Sequence, residues 1–219
     1  MRSLPIALLT IALPLLAQQP REAPVMRVLP LDPLTPAERA AGEEIARGNE
    51  RVREFLAKGR TRTIYSEFIA PKLNRGDEPS GRYADVLFYR YEDDAGLRVL
   101  VDLAAHAVVD IAPVAGRSVP LTAAEVEEAA RLALANADVV RLLGPEAGSF
   151  RPAFAPATRE TINDNRIEGL RTLGGSPDDP CTRDRCVVLF FRTHNRYIAM
   201  NRVVVDLTAQ RTLVNGRNR

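Results

Sequence analysis

The chain's only thiols are Cys181 and Cys186, in the run Cys181-Thr182-Arg183-Asp184-Arg185-Cys186. A redox pair of the thioredoxin kind needs two intervening residues and a helix opening behind the first thiol, and this run has neither. In an exported chain such a pair is expected as a structural disulfide. The loop it closes is short, so loop-closure entropy limits its stabilisation to about 3 kcal/mol or less. The two histidines, His106 and His194, each follow a strand-like run and fall in different turns. A metal needs convergent donors, so no metal site is expected of them. Asp102 and Asp206 end two similar runs, and a pair of carboxylates can serve acid-base catalysis. Their matching places favour the plainer role of accepting backbone amides at a turn. Ser66, Ser80, Ser118 and Ser149 all lack the Gly-x-Ser-x-Gly setting of a hydrolase nucleophile. Gly174-Gly175-Ser176-Pro177 reads as a loop, without the glycine spacing of a phosphate-binding turn. No catalytic residue and no cofactor is expected.

A recognition role is the alternative that these residues leave. Phe88 and Phe190 match in sequence, as do Tyr89 and Phe191. Alternation along a strand sends one pair to the core and the other outward. The outward pair, with Arg90 and Arg192, forms a candidate docking surface: Tyr89, Arg90, Phe191 and Arg192. That surface serves either contact between the two units or a partner, and packing of one unit on the other is the reading favoured, because exposed apolar patches on monomers are usually small.

The elements that must position these residues occur twice. Val86-Leu87-Phe88-Tyr89-Arg90 and Val99-Leu100-Val101-Asp102-Leu103 return as Val188-Leu189-Phe190-Phe191-Arg192 and Val203-Val204-Val205-Asp206-Leu207. Short β-branched and aromatic runs bounded by Asp, Asn and Gly predict antiparallel strands. Leu34-Thr35-Pro36-Ala37-Glu38 returns as Leu121-Thr122-Ala123-Ala124-Glu125, and each is a capping box that starts a helix. Behind them Ala41, Ile45, Gly48, Val52 and Phe55, and then Val126, Ala130, Ala133, Ala137 and Val140, each make one apolar stripe. Gly59 and Gly144 are expected as left-handed helix ends. Arg62 to Ala70 and Arg166 to Leu173 are expected as the first strands. The fold class is therefore α+β, with one helix packed on a four-stranded antiparallel sheet in each of two units. The units are expected over 34–118 and 119–219, with a connection at Ser149 to Pro156.

Ahead of them, Arg2 and the apolar run Leu4 to Leu16, interrupted by Pro5, Thr10 and Pro14, read as a signal peptide over 1–17. The run falls short of the roughly 20 residues that span a bilayer. An extension follows over 18–33, and the expected location is extracytoplasmic, periplasmic or secreted, with no membrane insertion after removal. The 219 residues are 46% hydrophobic and 26% charged, a globular composition. A net charge of +2 sets up no field for nucleic acid or anionic lipid. From Arg151 onward the excess is about +5, carried by arginines, with Lys58 and Lys72 the only lysines. A nucleic-acid partner is not expected, because such sites gather charge on one face.

The stretch Leu31-Asp32-Pro33-Leu34-Thr35-Pro36-Ala37-Glu38, the strand ending in Val101-Asp102-Leu103, and Val119-Pro120-Leu121-Thr122 before the second helix resemble the N-terminal accessory region of copper amine oxidases. The resemblance is strongest from Leu31 to about Leu143. It implies two tandem cystatin-like α+β units. Family members carry activity in a separate β-sandwich with three copper-binding histidines and a quinone made from tyrosine after asparagine. This chain has two histidines, and none of its five tyrosines follows asparagine. The resemblance therefore implies a non-catalytic interaction or accessory module with a protein partner, among them an accessory subunit of a copper/quinone amine oxidase. The alternatives are a cystatin-like protease inhibitor, which would need a Gln-x-Val-x-Gly hairpin that the chain lacks, and an enzyme with a site between the units. A generic helix-on-sheet module such as a propeptide-type inhibitor domain is the rival reading of the fold.

Overall fold

Each half of the chain starts its helix where the threonine-glutamate pair can close on itself. The computed structural model describes residues 32–70, 81–153, 164–194 and 196–214. The segment 1–17, most of the 18–33 extension, and Ser80 lie outside the described residues. Thr35 caps helix α1 (Pro36–Gly48) and Thr122 caps α3 (Ala123–Leu134). Each hydroxyl accepts the glutamate amide at 3.2 Å, and each glutamate takes back the threonine amide, at 2.8 Å for Glu38 and 2.9 Å for Glu125.

The single continuous helix expected in each half is broken by an asparagine. Asn49 is extended (ψ 137°) and its side chain accepts the Arg51 amide, so a second helix, α2 (Glu50–Leu56), starts anew. Asn136 does the same for α4 (Ala137–Leu143), accepting the amides of Asp138 and Val139. An asparagine side chain competes for backbone amides, which favours a cap over a helix interior. The buried stripe differs from the expected one. Val139 is buried in place of the expected Val140, which is 41% exposed, and Gly42 and Ala46 are buried while Gly48 lies outside. Gly144 has the positive φ expected of it (67°), but its ψ of −150° takes it out of the left-handed helical well. Gly59 is not at positive φ, so the left-handed helix end expected there does not form.

The first sheet runs β1 (Thr61–Ile69), β2 (Tyr83–Arg90), β3 (Ala95–Asp102), β4 (Ala107–Ala115), in that order and wholly antiparallel. The second has five strands rather than four: β5 (Arg151–Pro152), β6 (Arg166–Thr172), β7 (Cys186–Thr193), β8 (Arg196–Asp206) and β9 (Arg211–Val214). The extra strand comes from the connection expected at Ser149 to Pro156. Arg151 and Pro152 lie parallel to the β6 edge, where a proline that cannot donate is tolerated. The other pairs are antiparallel.

The register corrects the pairing of aromatics. Asp102 lies opposite Tyr83 and Asp206 opposite Cys186, so Val86 corresponds to Leu189 and Phe88 to Phe191, one residue on from the sequence match. Accordingly Phe88 packs under α1 with Val86, Val99 and Val101. Phe191 packs in the second core, its ring edge-on to Phe150 at 5.5 Å. Tyr89 points to the opposite face of the first sheet, and with Leu87 and Tyr91 it buries in the same cluster as α3, Val187, Leu189, Val203 and Val205. The far side of the first sheet is thus part of the second core.

Candidate functional site

The described residues place their densest buried polar cluster where the two halves meet, and an arginine ahead of a strand organises it. Arg185 immediately precedes β7. Its Nε and Nη2 donate to Glu125 at 2.5 and 2.9 Å, and its Nη1 and Nη2 donate to the carbonyls of Val119 and Pro120 at 3.2 and 2.7 Å. Arg82, immediately before β2, repeats this pattern on Glu38 and on the carbonyls of Asp32 and Pro33. Even the backbone matches, since Leu103 donates to the Arg82 carbonyl and Leu207 to that of Arg185. In both halves a guanidinium thus clamps the capping glutamate to the segment leading into the helix. A planar donor fork suits such a bidentate grip on a carboxylate.

The two clamps differ in solvent. The Arg82 and Glu38 side chains are 16% and 26% exposed, whereas Arg185 and Glu125 are both at 0%. The first sheet covers the second clamp. The Arg185 guanidinium lies 4.4 Å from the Tyr89 ring centre, and the Tyr91 hydroxyl donates to Glu125 at 2.9 Å. Burial by itself pushes the Glu125 carboxyl up. The Arg185 bonds and charge, the Thr122 amide and the Tyr91 hydroxyl outweigh it, so the net direction is down. Burial raises both phenols, reinforced by Asp94 at Tyr89 and by Glu125 at Tyr91.

Around this centre the halves are tied by further pairs. Tyr89 donates to Asp94 at 2.5 Å, and Asp94 also receives Arg171 at 2.7 Å. Arg60 and Arg62 reach Glu128 on α3 at 3.2 and 2.6 Å, and Arg60 lies 3.9 Å from the Tyr91 ring centre while donating to the Leu207 carbonyl. A buried, largely hydrogen-bonded cluster of this kind, in which Arg171 Nε alone of the donors named lacks an acceptor, holds two surfaces in one register. At its edge Asp94 and Arg171 line an open cleft of about 810 Å³ with Glu92, Asp93, Arg117 and Asp184.

The residues singled out by sequence lie elsewhere. Cys181 and Cys186 form a disulfide, both buried, at the lead into β7. His106 and His194 are exposed at left-handed turn positions, and Asp94 and Gln210 take the same backbone conformation in two further hairpins. Asp102 accepts the amides of Ala104 and Ala105, and Asp206 that of Ala209, each at 2.9 Å. The Ser66 and Ser149 hydroxyls donate to the carbonyls of Arg39 and Glu146. Gly174 is left-handed (φ 76°) in its loop.

The four docking residues do not share a surface. Tyr89 is buried between the halves and Phe191 in the second core. Arg90 pairs with Asp93 and the Phe55 carbonyl, and Arg192 lies on the outer face of the second sheet near Glu168. The one-residue shift in register separates them. Sequence reasoning missed Arg82 and Arg185, although each stands just ahead of a copied strand with a capping glutamate upstream.

Among the described residues no three His, Cys, Asp or Glu side chains gather to hold a metal, and no helix is long and apolar enough to cross a membrane. Among the described residues, fold and cluster together define a mixed α+β protein of four α-helices, one four-stranded antiparallel sheet and a second sheet antiparallel but for its β5–β6 edge, joined through a buried arginine-glutamate clamp. No family model matches the chain, and no curated protein matches it either.

Proposed function

We propose that this chain is an exported, non-catalytic interaction module built of two tandem cystatin-like units, whose partner docks on the outer face of the second sheet. One observation carries the reading. In the first sheet the face turned away from the helix buries Leu87 and Tyr89 against the second half. On the corresponding face of the second sheet, among the described residues, Leu170 is 61% exposed and Tyr197 46% exposed. Val188, Phe190 and Val204 lie half-buried beside them. An apolar patch ringed by charge on a folded surface marks an interaction site.

The resemblance to the accessory region of copper amine oxidases supports a service role of this kind, and the apolar segment at Leu4 to Leu16 supports export. An oxidase-type enzyme is the partner the resemblance favours. The test is a pull-down from the native extracytoplasmic fraction with wild type and with a Leu170→Asp, Tyr197→Asp variant. A partner held by the wild type and lost by the variant supports the reading. Equal recovery by both, or no partner in several conditions, overturns it. N-terminal sequencing of the exported product tests the leader separately.

A further inference from the structure

The disulfide and the clamp share one loop. Cys181 and Cys186 are bonded to each other, and Arg185 is the last residue between them. Backbone bonds of the short 3-10 turn Pro180–Thr182 reach as far as Asp184, whose amide donates to the Pro180 carbonyl at 2.9 Å, and β7 begins at Cys186. Arg185 stands between the two. Its amide donates to the Thr208 hydroxyl at 3.0 Å and its carbonyl accepts the Leu207 amide at 2.8 Å. The Thr208 hydroxyl donates in turn to the Tyr91 carbonyl at 3.3 Å, so the backbone of Arg185, like its guanidinium over Tyr89, bears on the first sheet.

The first clamp has no such staple. Arg82 grips Glu38 and the carbonyls of Asp32 and Pro33 within its own half, and both cysteines of the chain lie in the other. The covalent link thus accompanies the clamp that joins the halves. It can also be approached. Cys181 lines two open clefts, of about 520 and 810 Å³, whereas Cys186 is at 0% exposure and lines neither. Exchange requires a thiolate to reach one sulfur of the bond, and Cys181 offers it.

We infer that the disulfide is a thiol-sensitive latch on the junction: closed, it presents Arg185 to Glu125 and Tyr89, and opened by a dithiol reductant it loosens the contact between the halves. One thiolate of the dithiol bonds to the Cys181 sulfur and expels Cys186 as a thiolate. The second thiolate of the dithiol then displaces the Cys181 sulfur, giving an oxidised dithiol and two protein thiols that take up the two protons the dithiol lost. Without its tie the loop regains backbone freedom. A buried ion pair depends on close alignment, so that freedom is felt first where Arg185 meets Glu125. The latch concerns the junction and stands apart from docking on the outer face.

The test is amide hydrogen exchange of the full chain, read by mass spectrometry before and after dithiothreitol, with thiols counted by alkylation and the fold checked by circular dichroism. Reduction is expected to release two thiols per chain and to speed exchange by about tenfold or more in peptides covering 87–94, 119–128 and 203–209, while 35–48 around the first clamp keeps its protection. Arg185→Met, still oxidised, should loosen the same peptides, and reducing it should add little. The Cys181→Ser, Cys186→Ser variant should match reduced wild type without reductant, and it carries the comparison if Arg185→Met fails to fold. The inference is overturned if dithiothreitol leaves the bond closed in the folded chain, if opening it leaves exchange at the junction unchanged, or if exchange rises equally everywhere, 35–48 included. Equal loosening of Arg185→Met and wild type on reduction overturns it as well.

Discussion

Replacing Arg185 by methionine tests whether the buried clamp holds the halves together or merely decorates their junction. The substitution keeps most of the side-chain volume and removes only the guanidinium. Glu125 then remains at 0% exposure with its counter-ion gone and only Thr122 and Tyr91 as donors. Breaking a buried ion pair from one side costs about 3–5 kcal/mol. For a domain of this size that is a fall in Tm on the order of 10 °C. Arg82→Met removes the same set of contacts where water can solvate the released Glu38, so its cost is about 1–2 kcal/mol. Urea unfolding followed by circular dichroism measures both. Adding Glu125→Gln to Arg185→Met removes the stranded charge while keeping an amide that serves a capping box, and recovers about 2 kcal/mol. The reasoning fails if Arg185→Met is no more damaging than Arg82→Met, or if the double variant is no more stable than the single one.

Five further outcomes are expected. Glu38 is held at about 2, below its ordinary 4.5, chiefly by its bonds to Arg82. A depressed carboxyl contributes stability that is fully present above its unfolded value, so this contribution should fade as pH drops from about 4.5 toward 2 in acid titrations, and should be much smaller in the profile of Arg82→Met, where only the Thr35 bonds remain to lower Glu38. Tyr89 and Tyr91, both driven upward first by burial, should resist ionisation in an ultraviolet alkaline titration until the chain unfolds. Replacing both cysteines by serine should cost about 2 kcal/mol in chemical denaturation, as the loop is short. Gly116→Ala should destabilise severely, because its Cβ would sit 2.0 Å from the Asp94 carbonyl. Gly48→Ala, in an exposed helical turn with nothing within 4 Å, should instead raise stability by about 0.5–1 kcal/mol.

The paired clamps show how one local device changes meaning with its surroundings. At Arg82 it fastens a helix start in partial contact with water. At Arg185 the same bonds are sealed beneath Tyr89 and Tyr91, so their geometry also dictates how the halves dock. A buried polar group of this sort adds little net stability over an apolar one, and penalises any misalignment heavily.

Local chemistry was legible in the residues themselves. Thr35 with Glu38 and Thr122 with Glu125 announce two helix starts, the β-branched runs announce strands, and Asp102 and Asp206 announce turns, because each depends on partners a few positions away. The cysteine pair was readable for the same reason. Long-range arrangement was not. The strand alternation that would have placed Tyr89 beside Phe191 failed by one position, since the true correspondence is set by pairing to β3 and β8 across each sheet. The asparagine breaks at Asn49 and Asn136 lay within unbroken apolar stripes, where capping and helix continuation compete and packing decides. Only the folded chain could bring Arg185 onto Glu125, sixty positions away, because burial and charge balance are properties of neighbours that the order of residues does not name.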